Sequence, residues 1–359
     1  MAEAVSTFPD ALPTARTPDP RDAPTLRWGV LGTGWIAERF VASLQRHSSQ
    51  QVVAVGSRSA GTAEEFAHRF GIGRAHGSYA DLVDDDEVDV VYVASPHNAH
   101  LEHALLALGA GKHTLVEKPL ALNVAEAAQI AEAAAARDLF CMEAHWTSFL
   151  PKYDVLRQLL DSRVLGDITA VVADFGEWFA PEHRIFRPEL AGGPMLDLGT
   201  YLVSLVVDVL GGGPDEVVAR STTHERGVTA QTAMILTYGA TQAVLHTTIV
   251  ANTPTAATVA GTEGSLVLDG PFYQPGGFSL TSLDGTRTLR YDEERYAHEG
   301  GLHFQAADVA RRVTAGETGS PLRPLARSIE VLAIMDEVRR QTGDRYPTEQ
   351  AGPTPRSRP

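Results

Sequence analysis

The first residues whose spacing suggests chemistry lie at 27–39, RWGVLGTGWIAER. An apolar, strand-like run leads into Gly32-Thr33-Gly34-Trp35-Ile36-Ala37, and a helical pattern follows. Gly32 permits a tight turn. Gly34 lacks a Cβ, so backbone can approach a pyrophosphate, and Ala37 lets the helix pack close to the strand. The helix N-terminus offers unpaired N–H groups and partial positive charge to phosphates. In this strand–turn–helix context the glycine spacing predicts a dinucleotide site, with Thr33, Trp35 and Ile36 on the same turn. NAD sites place Asp or Glu at the end of the next strand. Here the residues are Ser57-Arg58-Ser59, with no carboxylate before Glu64. A guanidinium flanked by hydroxyls suits a 2′-phosphate, so NADP is expected, with NAD the less favoured alternative.

Further candidates follow later strands. Lys118, in Glu117-Lys118-Pro119, follows a strand end. That places a fixed ammonium at the C-terminal edge of the sheet, where open α/β sheets bind ligands. Ser95-Pro96-His97 follows the run VDVVYVA and is expected beside the nicotinamide half, with His100 opening the next helix. His97, His100 and His103 recur every three residues, which shares a helix face only in part; no metal site is expected. Trp146 either covers the ligand or packs. Arg184 either binds substrate hydroxyls or pairs with an acid. Cys141, in LFCM, reads as core.

Those residues need elements to carry them. Up to about residue 140, short β-branched runs (RWGVLG, QVVAVGSRS, VDVVYVAS, HTLVEKP) alternate with helical stretches of about a dozen residues. That grammar implies parallel βαβ units, a doubly wound Rossmann sheet. After about residue 150 it changes. PKYDVLRQLLDSRVLG and residues 193–210 read as helices. Strand candidates ITAVVADFG, EVVARSTTH, VTAQTAMILTYG, TQAVLHTTIV, TAATVAG, SLVLDG and TRTLRYD then follow with only turns between them, and two helices close the chain. Consecutive strands without crossovers predict an antiparallel sheet. The expected architecture is α/β plus α+β. Residues 1–24 read as a disordered Pro-rich extension, 25–145 as the NAD(P)-binding domain, 146–345 as a substrate-binding and dimerisation domain with a large mostly antiparallel sheet, and 346–359 as a disordered tail.

Three motifs together resemble the Gfo/Idh/MocA family of nicotinamide-dependent sugar oxidoreductases. They are the glycine turn, Glu117-Lys118-Pro119, and Gly192-Gly193-Pro194-Met195-Leu196-Asp197-Leu198-Gly199-Thr200-Tyr201. The resemblance covers about residues 26–343. It is strongest to the branch holding dimeric dihydrodiol dehydrogenases and NADP-dependent xylose dehydrogenases. Two positions depart from that branch: Ser148, where Arg often follows Trp-Thr, and Arg187, where Asp or Ser is common before Pro. The resemblance implies that Tyr201 is the general acid/base and that Lys118 tunes it and bonds the reacting oxygen. A free phenol, with a pKa near 10, is a poor base at neutral pH, and a neighbouring ammonium is expected to lower that value. Asp197, four residues before Tyr201, is expected to share its helix face and to bond a substrate hydroxyl or orient Lys118. Glu117 belongs with the cofactor contacts.

Composition narrows the partners. With 30 basic and 45 acidic residues the formal net charge is −15, which gives no overall attraction to nucleic acid or anionic membrane. A 43% apolar content supports a sizeable core. One cysteine permits no internal disulfide, and the N-terminal region has no signal-like apolar segment, so a cytoplasmic location is expected. The expected ligand is a small sugar or cyclic diol, bound by a homodimer or higher homo-oligomer. Two rival readings are a ketoreductase for nucleotide-linked keto sugars and a nicotinamide-binding regulatory protein without turnover.

Overall fold

Residues 8–293 and 300–347 of the 359-residue chain are described by a computed structural model. The first sheet holds β1 (Arg27–Leu31), β2 (Gln51–Gly56), β3 (Arg74–His76), β4 (Val90–Val93), β5 (His113–Glu117) and β6 (Cys141–Ala144). They run parallel in the order β3-β2-β1-β4-β5-β6. Helices α1 (Trp35–His47), α2 (Ala60–Phe70), α3 (Tyr79–Val83), α4 (His100–Gly109) and α5 (Val124–Ala135) connect them. β4 is buried at every position, as a strand covered on both faces must be. The strand order reverses between β1 and β4, so the loops after these strands frame a crevice where such sheets bind ligands.

The second sheet has eight strands: β7 (Ile168–Gly176), β8 (Glu216–Thr223), β9 (Thr229–Tyr238), β10 (Thr241–Thr248), β11 (Ala257–Gly261), β12 (Gly264–Leu268), β13 (Phe278–Ser282) and β14 (Thr288–Tyr291). Their order is β14-β13-β12-β11-β7-β10-β9-β8, and every pair is antiparallel except β7 with β10. α6 (Pro151–Asp161), α7 (Thr200–Leu210), α8 (Leu302–Thr314) and α9 (Leu325–Thr342) complete the fold. The long apolar segment Pro188–Leu210 is almost wholly buried in the core. The helix expected over 193–210 begins with a π-helical turn, Met195–Gly199, before α7. Such turns shift side-chain direction within a helix. β3, α3 and β13 were not expected. The first two are very short, and β13 lies inside the Gly- and Pro-rich stretch PGGFSLTSLDG, whose turn signals mask its alternation.

The Pro-rich extension is not unstructured over residues 8–24. Phe8 is buried, with the Arg287 guanidinium 4.9 Å from its ring centroid. Asp154 accepts from the Arg16 backbone N–H at 2.6 Å, Gln158 donates to the Thr14 carbonyl, and Arg311 to that of Asp19. The ordering comes from side chains of the body that take up backbone groups of the extension, which its own composition cannot reveal. Residues 1–7 lie outside the described residues. In the tail expected from 346, Tyr346 is buried with the Arg339 guanidinium 3.9 Å from its ring centroid; residues 348–359 lie outside the described residues.

One buried ion pair joins β6 to the segment before α9. Arg323 donates to Glu143 Oε2 through Nε at 2.8 Å and through a terminal nitrogen at 2.6 Å, and Ser328 Oγ donates to the same oxygen. Glu143 Oε1 accepts from Leu120 N–H, just past Lys118-Pro119. This network therefore anchors the chain on which Lys118 stands.

Candidate active site

The glycine turn has the geometry its spacing requires. Gly32 sits at φ +112°, and a Cβ there would lie 2.8 Å from the Ala94 carbonyl oxygen, so no larger residue fits. Gly34 caps α1, is exposed, and a Cβ there would meet nothing within 4 Å. The free space above this helix N-terminus is open to an anion. Thr33 and Ile36 are partly buried beside it, and Trp35 stands out at 67% exposure with the Arg39 guanidinium 5.1 Å from its ring centroid. After β2, Ser57 is buried and Arg58 exposed; Arg58 also acts electrostatically on His103.

The loop after β4 presents groups lacking partners. Ser95 Oγ and His97 Nδ1 are buried without hydrogen bonds, while Pro96 is exposed. Orphaned buried polar atoms at the switch point fit a nicotinamide dinucleotide that would satisfy them. His100 differs from expectation. Both ring nitrogens face carbonyl oxygens, of Pro119 at 2.8 Å and Ser95 at 2.9 Å, and the side chain is fully buried. It stands between the β4 and β5 loops, where a neutral ring donates its one N–H to one of the two carbonyls. Burial drives its pKa down to about 4. Glu117 is likewise committed inward. It accepts from the Tyr92 hydroxyl and the Lys118 N–H, and burial raises its pKa to about 7.

At the end of β5, nearly buried Lys118 donates to the Asp197 carbonyl oxygen at 2.8 Å. Its ammonium lies 3.9 Å from Asp197 Oδ1 and 5.1 Å from the Tyr201 ring centroid. The π-helical turn and α7 thus bring Asp197 and Tyr201 to one amine. The Asp197 carboxylate is held by Arg184 at 2.7 and 3.2 Å, and His97 Nε2 stands 3.7 Å from it. His97, Arg184 and Lys118 overcome the burial penalty and hold this carboxyl well below the usual range. Of the two options for Arg184, the structure takes the acid pair.

Tyr201 sits among aromatic rings. Its hydroxyl accepts from Trp146 Nε1 at 3.0 Å, and Tyr273 lies at 4.7 Å, His145 at 5.2 Å and Phe175 at 5.9 Å between centroids. Trp146 is buried and orients the phenol. The expected lowering of the phenol pKa is reversed: burial, with Tyr273 and Glu117 adding, pushes it well above 10. The reason is that Lys118 faces the ring and the Asp197 carbonyl, and its charge is offset by Asp197 while desolvation acts in full. Lys118 itself is pushed down by burial. Sequence reasoning missed Tyr273, His145, Phe175 and the rim residues Glu177 and Trp178. Trp178 is 57% exposed, and burial raises the Glu177 carboxyl with Asp197 repelling it. No local spacing signals them, since they come from three separate stretches: the end of β6, the end of β7 with the residues after it, and the segment before β13.

Cys141 is a buried core thiol whose pKa is pushed up to about 12.

Family models match both halves: an oxidoreductase family with an NAD-binding Rossmann fold over residues 26–145, and the GFO/IDH/MocA C-terminal domain over residues 153–267. The chain belongs to the Gfo/Idh/MocA family. This member is 34% identical to the trans-1,2-dihydrobenzene-1,2-diol dehydrogenase of Xenopus tropicalis over 89% of its own length and 99% of that protein. It is 33% identical to the human protein of the same name, over 90% and 99%. Among solved structures it resembles KijD10, a 3-ketoreductase from Actinomadura kijaniata in complex with NADP and TDP-benzene. The TM-score is 0.79 and the identity 27%, over 89% of this chain and 98% of that one. A levoglucosan dehydrogenase shares the fold at TM-score 0.78 and 19% identity, covering 89% and 97%. The Gfo/Idh/MocA chain is an NAD(P)-binding oxidoreductase acting on CH–OH groups.

Proposed function

We propose that this enzyme is an NADP-dependent oxidoreductase acting between a secondary alcohol and the ketone of a neutral sugar or cyclic diol. The observation that carries the reading is the meeting of Lys118, Asp197 and Tyr201 at the crevice edge of the parallel sheet. A bound nicotinamide supplies or accepts the hydride. Gly32, Gly34 and the N-terminus of α1 would hold the pyrophosphate, Arg58 would favour a 2′-phosphate, and Ser95 and His97 would bond the nicotinamide half. Tyr201, a protonated phenol at neutral pH, gives its proton to the carbonyl oxygen in reduction. In oxidation the same phenol oxygen takes the proton back, with the Trp146 N–H as its hydrogen-bond donor and Lys118 placed to bond the reacting oxygen. Asp197 holds Lys118 through its carbonyl and Arg184 through its carboxylate.

The likeness to KijD10 favours a second reading, a nucleotide-linked keto sugar as substrate. The charges at the mouth support the neutral substrate better. Arg184 is already neutralised by Asp197, and Glu177 adds a carboxylate near Lys118. An anionic diphosphate would find Arg184 already offset by Asp197, which leaves exposed Arg187 as the candidate cation beside it. The test follows NADPH absorbance with aldoses, cyclic trans-diols and nucleotide-linked keto sugars. Turnover of the first two classes is expected. Turnover of the nucleotide sugars alone selects the second reading, and none with any class overturns both.

Homo-oligomer formation is part of the same reading. One cross-strand row on the open face of the second sheet runs Val218, Ile235, Val244, Val172, Thr258, Val267 through paired registers. Its valines and Ile235 are exposed at 38–51%. A stripe across a sheet face that is apolar except at Thr258 fits burial against a second copy of this chain.

A further inference from the structure

Lys152, on α6, is fully buried, yet it makes no salt bridge among the described residues. Its ammonium instead donates to two carbonyl oxygens, of Phe272 at 2.8 Å and of Gln274. The carbonyl between them, of Tyr273, accepts from Thr147 Oγ1 at 2.8 Å. The Tyr153 hydroxyl adds a second bond to Phe272 O at 3.2 Å. Successive carbonyls are therefore fixed from one side by α6 and the turn before it. Burying an ammonium without a bonded carboxylate is strongly unfavourable unless dipoles replace water, and here carbonyl dipoles do so. Asp269 and Glu293 act on it only at a distance, and burial lowers its pKa to about 8.

The residue held between those carbonyls is the one that covers the candidate acid. The Tyr273 ring lies 4.7 Å from the Tyr201 ring and 4.7 Å from Phe175, stacked on the latter at 21°, with Trp146 edge-on at 5.9 Å. Without Tyr273 in place, one face of Tyr201 would meet water. We propose that Lys152 is a positioning residue for the reaction: by tying the carbonyls that flank Tyr273, it sets that ring against Tyr201 and keeps water from the phenol. The proposal rests on the reading that Tyr201 moves the proton. It assigns Lys152 no contact with substrate or cofactor.

The groups that face Tyr201 are Lys118, Glu117, Asp197, His145, Tyr92 and Tyr273; those that face Lys152 are Tyr153, Asp269 and Glu293. Water admitted to Tyr201 relieves the desolvation that raises its pKa. The test is Lys152→Met in the full chain, with kcat, the cofactor KM and the pH profile of ketone reduction. The expected result is kcat about tenfold lower, well short of the roughly 10²–10⁴-fold lost when the acid/base itself is removed. The cofactor KM stays unchanged, and the alkaline fall in rate moves to lower pH. Tyr273→Ala should do the same, and the double variant should be no worse than Tyr273→Ala, because Lys152 acts through Tyr273. Additive losses, or an alkaline limb that stays put in Lys152→Met while it moves in Tyr273→Ala, overturn the proposal. If Lys152→Met does not fold, Thr147→Val removes the middle bond alone and should shift the limb in the same direction by less; no shift counts against the idea. Tyr201→Phe separates the two layers. A rate that survives it sinks the reading of Tyr201, whereas a collapsed rate beside a silent Lys152→Met sinks only this proposal.

Discussion

Replacing Tyr201 with Phe removes one oxygen and so separates two roles of that oxygen. In the folded chain it accepts from Trp146 Nε1 at 3.0 Å. Without it a buried indole N–H has no acceptor, which should cost about 1–3 kcal/mol of stability. In the proposed reaction the same oxygen carries the proton. A general acid/base is worth about 10²–10⁴ in rate. At 1.36 kcal/mol per tenfold, that is about 3–5 kcal/mol of barrier. The assay pairs urea unfolding with kcat for reduction of a ketone substrate. Trp146→Phe serves as the control: it removes the donor, keeps the phenol, and should lower kcat far less than Tyr201→Phe. Because burial holds the phenol well above its usual range, reduction by the parent enzyme should stay level through neutral pH and fall only in alkali. Were Tyr201→Phe to keep the parent kcat, or reduction to fall off between pH 6 and 8 with a Tyr201-dependent limb, the assignment would be wrong.

Arg58→Asp should reverse cofactor preference toward NAD by repelling a 2′-phosphate; kcat/KM measured with both cofactors checks it, and a retained NADP preference removes Arg58 from the site. Glu143→Gln leaves the fully buried Arg323 without its counter-charge and should cost about 3–5 kcal/mol in denaturant unfolding. Glu117 has a folded-state pKa of about 7, above its ordinary 4.5. The native state therefore holds that proton more tightly, and its contribution is greatest at low pH and declines as pH rises from about 4.5 through 7. Glu117→Gln should flatten that decline by about 2.5 kcal/mol, read as unfolding free energy at pH 5 and pH 8 against the parent. Val244→Glu, at the centre of the exposed apolar row, should yield monomers on sedimentation if a second copy covers that face.

The parts of the molecule legible in the sequence are those governed by neighbours along the chain. Gly32 could be assigned its turn because the positive φ and the close Ala94 carbonyl follow from a strand feeding a helix within a few residues. The parallel sheet followed from strands spaced by helices, and the second sheet from strands spaced by turns. The family motifs around Lys118 and Tyr201 named the pair. What they could not specify was how the charges offset each other. Arg184 and Asp197 are 13 residues apart and form an ion pair, Trp146 and Tyr201 bond across 55 residues, and Lys152 reaches Phe272 across 120. The same holds for the extension, whose residue Arg16 meets Asp154 across 138 residues.

The reversed expectation for the Tyr201 pKa shows the reason most directly. A positive charge nearby lowers a phenol's pKa, and residue types alone place one nearby. Whether that effect or desolvation prevails depends on where the ammonium points and how many rings exclude water. Both are set by loops converging from distant parts of the chain. Sequence by itself indicated most of the elements and the glycine turn, because backbone preference and hydrophobic period act locally, while the proposed reacting pair came from motifs shared with the family. Only the folded chain decided protonation, pairing and solvent access, because electrostatic energy depends on distance through space and on buried volume.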